Sequence, residues 1–213
     1  PGETGTIPAS HLEVMVPRRS RVWVKTASAD IRVTDVVGGL DLYSVTGAVR
    51  VGGEAGEVYA ESMDGNVDIT ASSRWVRAKT ATGSVTLHVT GADVTATTVS
   101  GNIVAIGDGF ERGRLESVTG DIRFEGDFDR GGAFTFESHG GTIELRVPNT
   151  VAANFEVSTV NGQITNELGR AQVRTARDGT GRALSLETGP GGAEVTVRSF
   201  KGNVVLRHRS IGK

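Results

Sequence analysis

Apolar and polar residues alternate along most of this chain in short runs, and the runs keep a fixed phase to glycine. Gly47, Gly65, Gly83 and Gly101 lie 18 residues apart; the series continues at Gly120, Gly141, Gly162 and Gly202, with Ala29 in the slot 18 before Gly47. Take these nine residues as position zero. Position +2 is then Ile31, Val49, Val67, Val85, Ile103, Ile122, Ile143, Ile164 and Val204, all β-branched and apolar. Position +4 is apolar or small except at Asn166, position −5 runs from Val24 through Leu42 and Ala60 to Val197, and position −7 is apolar except at Gly113. The residues between, such as Lys25, Glu61, Lys79, Glu116 and Glu137, are mostly charged or polar. A period of two predicts strands with one face inward, so each unit is two short strands joined at the glycine.

Position −3 adds a column: Thr26, Ser44, Ser62, Thr80, Thr98, Ser117, Ser138, Thr159 and Ser199 all carry hydroxyls, in a chain where only 38 of 213 residues are Ser or Thr. Parity points them inward at the corner, toward the turn backbone or the next hydroxyl in a stack. The glycine is expected to supply a positive φ, and its neighbours Asp64, Asn66, Asn102 and Asp121 to satisfy turn amides locally. A unit this short cannot bury an apolar face alone, whereas units laid about 4.8 Å apart in register make two continuous sheets. A consistent hydroxyl corner favours parallel coils over meanders. The sequence therefore predicts an all-β fold, a parallel β-solenoid (β-helix-like) of about nine strand-turn-strand repeats of 18–21 residues.

Residues 1–21 lack the repeat and hold one alternating run, Leu12, Val14, Val16, ended by Pro17, which predicts an N-terminal cap or incomplete repeat. The repeat domain is expected over 22–207, with an irregular loop at about 169–182, and a C-terminal tail over 208–213.

Composition narrows the chemistry. Twenty-three Lys and Arg against 25 Asp and Glu give a net charge of −2, which offers no general attraction for nucleic-acid phosphates or anionic lipid. With no cysteine, disulfides, thiolate catalysis and Cys-based zinc sites are all excluded. No run approaches the roughly 18 apolar residues of a membrane span. His11, His88, His139 and His208 are scattered without metal-like spacing, so no metal or other cofactor is expected. The acidic turns around Asp108 and Asp127 depart from the calcium-binding nonapeptide pattern, and the glycine-rich run from Arg177 to Arg182 lacks the Lys-Ser/Thr of a phosphate loop. No catalytic residue is assigned. One cluster stands out among only eleven aromatics: Trp23 and Tyr59 at −6, Tyr43 at −4 and Trp75 at −8, beside Arg77. They make either an exposed aromatic patch for a sugar, peptide or protein, or cross-rung packing under the N-terminal segment.

The segments Thr98-Val99-Ser100-Gly101-Asn102-Ile103, Ser117-Val118-Thr119-Gly120-Asp121-Ile122 and Thr159-Val160-Asn161-Gly162-Gln163-Ile164 resemble the bacterial putative-adhesin family with a β-strand-repeat domain. The lead-ins Val16-Pro17 and Val147-Pro148 are similar to it as well. The resemblance spans about Val14 to Leu206. It implies a non-catalytic protein of the cell envelope, on the periplasmic or extracellular side, and supplies no binding residues. The expected function is an adhesin-like binding module or an accessory scaffold subunit of a membrane-associated assembly. The expected partner is a protein or envelope glycan, with no nucleic acid and with membrane contact only through an anchor or partner outside this chain. The alternatives are a self-assembling structural polymer of the bactofilin type and a polysaccharide-acting β-helix enzyme.

Overall fold

The computed structural model describes residues 11–176 and 179–209. Parts of the expected cap, loop and tail (1–10, 177–178 and 210–213) lie outside the described residues. The described chain is all-β and forms a parallel solenoid. Each rung is the strand before and the strand after one position zero. Rung 1 is β1 (Val22–Thr26) with β2 (Ile31–Thr34), and rung 2 is β3 (Gly39–Ser44) with β4 (Val49–Glu54). Rung 3 is β5 (Glu57–Ser62) with β6 (Val67–Ser72), and rung 4 is β7 (Trp75–Thr80) with β8 (Val85–Thr90). β9 (Asp93–Thr98) opens rung 5; the long strands β10 (Ile103–Ser117) and β11 (Ile122–Ser138) then bend across the far corner, so each serves two rungs up to β12 (Ile143–Val147) in rung 7. Up to β9, odd strands stack in one sheet and even strands in the other, in the register that the columns predict: Val24 beside Leu42, Val49 beside Val67, Ser44 beside Ser62.

Above rung 7 the order of stacking departs from the order of the sequence. β11 and β12 pair not with the next strands in the chain but with β17 (Ala193–Ser199) and β18 (Val204–His208). β13 (Ala153–Thr159) and β14 (Ile164–Asn166) lie one rung further out, against β17 and β18. The C-terminal unit is thus inserted as rung 8, and the unit of Gly162 becomes rung 9. Hydrogen bonding records the insertion, because Thr159 donates to the carbonyl of Gly202, not to that of Gly141.

The corner glycines serve a purpose other than the expected one. None of the eight has a positive φ. Instead, a Cβ on Gly65 would lie 2.2 Å from the Gly47 carbonyl oxygen and one on Gly101 1.9 Å from that of Gly83, and the same approach recurs up the stack. Ala29 is allowed because no described residues form a rung before rung 1. The hydroxyl column, Ser199 apart, bonds to backbone: Ser62 Oγ accepts from Gly65 N–H and donates to the Gly47 carbonyl, both at 2.9 Å. The polar residues at +1 also reach between rungs, since Asn66 accepts from the Ser84 amide and Asn102 from the Asp121 amide, each at 2.9 Å.

The interior changes character along its length. Ala60, Ala78 and Ala96 make a narrow core in rungs 3 to 5, whereas Phe110, Phe124, Phe128, Phe134, Phe136 and Phe155 pack together further on. Gly113 breaks the −7 column because a Cβ there would meet the Phe134 ring at 2.8 Å. The two ends are unlike. β16 (Arg182–Glu187) pairs antiparallel with β13, and β15 (Arg174–Thr175) with β16, so the interruption of the repeat folds into a hairpin over rung 9. Asn166, the polar exception at +4, accepts from Leu168 N–H and donates to the carbonyls of Gly169 and Ala171, which turns the chain over the core. At the other end, β1 pairs only with β3 and β2 only with β4 among the described residues. Leu12, Val14 and Met15 are exposed there.

Candidate functional site

β1, β3, β5 and β7 bring the predicted aromatic residues onto one outward face. Parity sets their direction, and the in-register stacking sets their spacing. Trp23 and Tyr43 have ring centroids 6.5 Å apart, and Tyr43 and Tyr59 5.2 Å apart, all tilted. Trp75 completes the diagonal, with the Arg77 guanidinium 5.1 Å from its ring centroid. Trp23 remains 65% exposed, so no described residue covers it, while Tyr43, Tyr59 and Trp75 are half-buried by one another and their charged neighbours. The five residues therefore share one face as a ladder, in which Arg77, beside Tyr59 in register, links the tyrosines to Trp75.

The ladder is polar at its edges. Tyr59 donates its hydroxyl proton to Glu61 at 2.7 Å, and that bond, with burial second, pushes the phenol up to about 12. Tyr43 is also raised, first by burial and then by the nearby Asp41 and Glu61 carboxylates. Arg21 closes the far side through its ion pair with Asp41 at 3.0 Å. What such a face offers a ligand is flat apolar rings bordered by hydrogen-bonding groups, which suits the CH face of a sugar or an apolar side chain. Its chemistry is that of contact.

Elsewhere several outward acids are held by arginine. Glu116 meets Arg114, Glu125 meets Arg123, Glu137 meets Arg198, and Glu144 is shared by Arg146 and Arg207. No group of three metal-ligating side chains gathers among the described residues. No described helix is long and apolar enough to cross a membrane.

Sequence reasoning missed a second surface feature. Position −2, next to the hydroxyl column, places Val45, Met63, Val99, Val118, Phe200 and Val160 on an outward crest along the glycine corner. An open groove of about 500 Å³ runs beside it, lined by Val118, His139, Phe200, Glu116, Glu137 and Arg198. The signal was present as the apolar second residue of Thr-Val-Ser-Gly and Ser-Val-Thr-Gly, but period-two parity alone does not separate a crest from a sheet face.

The fold defines a parallel β-solenoid. Residues 22–207 match the Toastrack DUF4097 family, and the chain belongs to that family. Among solved structures it is similar to the "putative cell adhesion protein from Clostridium sporogenes ATCC 15579", with 10% identity and a TM-score of 0.37, over 68% of this chain and 56% of that one. No curated protein matches.

Proposed function

We propose that this protein is a non-catalytic binding module of the bacterial cell envelope, on the periplasmic or extracellular side. It holds a protein or envelope-glycan partner against the ladder of Trp23, Tyr43, Tyr59, Trp75 and Arg77, as an adhesin-like unit or as an accessory scaffold of a membrane-associated assembly. The observation that carries this reading is the ladder itself, with Trp23 left uncovered by the described residues at one end. Two features weigh against a filament built by parallel end-to-end stacking. An incoming rung before β1 would set its corner carbonyl against the Ala29 Cβ, and the hairpin of β15 and β16 closes the other end. The arginine partners of Glu116, Glu125, Glu137 and Glu144 engage those carboxylates, which weighs against a glycan-cleaving enzyme built on them, whose two carboxyl groups must both face the glycosidic bond.

Both tryptophans of the chain belong to the ladder, which makes intrinsic fluorescence a direct reporter. Titration with cell-wall oligosaccharides, anionic envelope polymers and solubilised envelope proteins should give a saturable change for one of these classes. The pair Trp23→Ala and Tyr59→Ala should abolish binding by pull-down while the melting temperature stays within a few degrees. An unchanged affinity in the double variant would remove the ladder as the site, and loss of the fold would make it a packing feature.

A further inference from the structure

Among the described residues C-terminal to Trp23, every exposed large apolar side chain falls in the −2 column. Following the stack, Val45, Met63, Val99, Val118, Phe200 and Val160 are each 41–58% exposed. Ala27, Ala81 and His139 fill the remaining slots, with His139 stacked on Phe200 at 4.7 Å. Eight steps of about 4.8 Å make an apolar crest about 38 Å long. Part of its purpose is local. The −2 amides bond between rungs, Ala81 N–H to the Met63 carbonyl at 2.9 Å and Val99 N–H to that of Ala81 at 3.1 Å, and the side chains shield those bonds from water. A methyl group does that at Ala27 and Ala81. Met63 and Phe200 present far more apolar surface than shielding needs, and a contiguous stripe of this size marks an interaction surface.

We propose that the crest is the interface of a twofold dimer, in which two copies of this chain pack crest to crest with their solenoid axes antiparallel. A twofold axis perpendicular to the crest, between rungs 5 and 6, sets Val99 against the partner's Val118. Met63 then meets the partner's Phe200, Val45 meets the partner's Val160, and the smallest residue within this overlap, Ala81, meets the ring of the partner's His139. Met63, the most exposed side chain of the column, is directed into the partner's groove beside Val118, His139 and Phe200.

Charge selects the same arrangement. With this axis the −4 columns of the two copies face each other, and so do the −1 columns. Glu61 in rung 3 is set against the partner's Arg198 in rung 8, and Lys79 in rung 4 against the partner's Glu137 in rung 7. In the −1 column, Asp64 is set against the partner's Lys201. Each pair occurs twice by symmetry, and no like charges of these columns meet. A parallel dimer would instead oppose the −4 column to the −1 column of the same rung, with Glu61 against the partner's Asp64 and Arg198 against the partner's Lys201. Both contacts repel. The antiparallel mode is thus the self-complementary one in shape and in charge.

Sedimentation equilibrium of the full chain tests the proposal. A monomer–dimer equilibrium is expected, and Asp64→Lys should raise its dissociation constant about tenfold, because two attractive pairs become repulsive. Adding Lys201→Asp in the same chain should restore association. Both positions are exposed, so the melting temperature should not move. The chain has no cysteine, which permits a second test by orientation. A mixture of Val45→Cys and Val160→Cys chains should form the mixed disulfide, and Val45→Cys alone should form none. A wild-type chain that stays monomeric at every concentration reached overturns the dimer. A homodisulfide of Val45→Cys, or failure of the charge swap to restore association, overturns the antiparallel register.

Discussion

Between Gly47 and Gly65 the backbones of adjacent rungs come so close that a Cβ on Gly65 would sit 2.2 Å from the Gly47 carbonyl oxygen. Neither atom can swing aside, because both belong to main chain fixed by the ladder on either side of the corner. Gly65→Ala should therefore cost at least about 2 kcal/mol, as an overpacked buried site does, when measured by urea unfolding. Ala29→Gly, at the one corner with no described rung before it, should change stability by well under 1 kcal/mol, about the ordinary backbone cost of glycine. Tyr59 gives a second residue-scale test. Its hydroxyl is held protonated by Glu61, so its folded value of about 12 lies above the ordinary 10. The stability this contributes is full below pH 10 and is lost as the pH rises from 10 to 12, where the unfolded chain has already released the proton. Alkaline titration by ultraviolet absorbance should show one tyrosine ionising near 12, and Glu61→Gln should bring it down; a Tyr59 that titrates near 10 in the wild type would refute the hydrogen bond. Glycine spacing was readable from sequence, whereas its cause was not. A turn with positive φ and a close approach of two rungs both call for glycine, and the rung-to-rung distance that separates them exists only after stacking.

Hydrogen bonds between rungs, rather than within turns, distinguish the strand-corner-strand element. Ser62 bridges its own corner amide and the carbonyl of the preceding rung from a buried position, so Ser62→Ala strands two buried backbone groups and should cost about 2–3 kcal/mol. Ser62→Thr should be far milder, since threonine fills the same slot at Thr80 and Thr98 with the same bonds. At +1, Asn102 makes an equivalent bond to the Asp121 amide, but from an exposed position where water can replace it. Asn102→Ala should cost no more than about 1 kcal/mol. Thermal melts of the three variants check the ranking. A cost for Asn102→Ala equal to that of Ser62→Ala would mean that the outer ladder, not the hydroxyl column, holds the corner. The inward columns were legible because they repeat nine times with one parity. The ladder of Trp23, Tyr43, Tyr59 and Trp75 was legible for the same reason, since in-register stacking turns sequence offsets into neighbours. The crest at −2 was not, because it lies where the strand bends and alternation no longer reports direction.

At the scale of the whole molecule, the order of the rungs was the least readable feature. Columns that make every rung compatible with every other leave stacking order unspecified, and Gly162 and Gly202 share the same columns except for Asn166 at +4. What decides it is the capping of the ends. The unit of Gly162 ends its second strand at Asn166, whose side chain turns the chain over the core, and its first strand accepts an antiparallel partner in β16. That makes it an end rung. The unit of Gly202 is apolar at +2 and +4 (Val204, Leu206), and these side chains, with Val195 and Val197 in β17, are at most 1% exposed. It needs a rung on each side. Burial of four such side chains stabilises by about 1.5–3 kcal/mol each, comparable in total with the net stability of a whole domain. A chain ending at Thr188 should therefore keep rungs 1 to 7 but lose the ordered packing of β13 to β16, seen as a lower melting temperature and rapid amide exchange from 153 to 187. A synthetic peptide of residues 189–213 should bind that chain saturably and restore both, because the slot between β12 and β14 accepts a strand in parallel register from either source. If the shortened chain melts like the full one, or the peptide leaves its exchange pattern unchanged, rung 8 is not the keystone of this end.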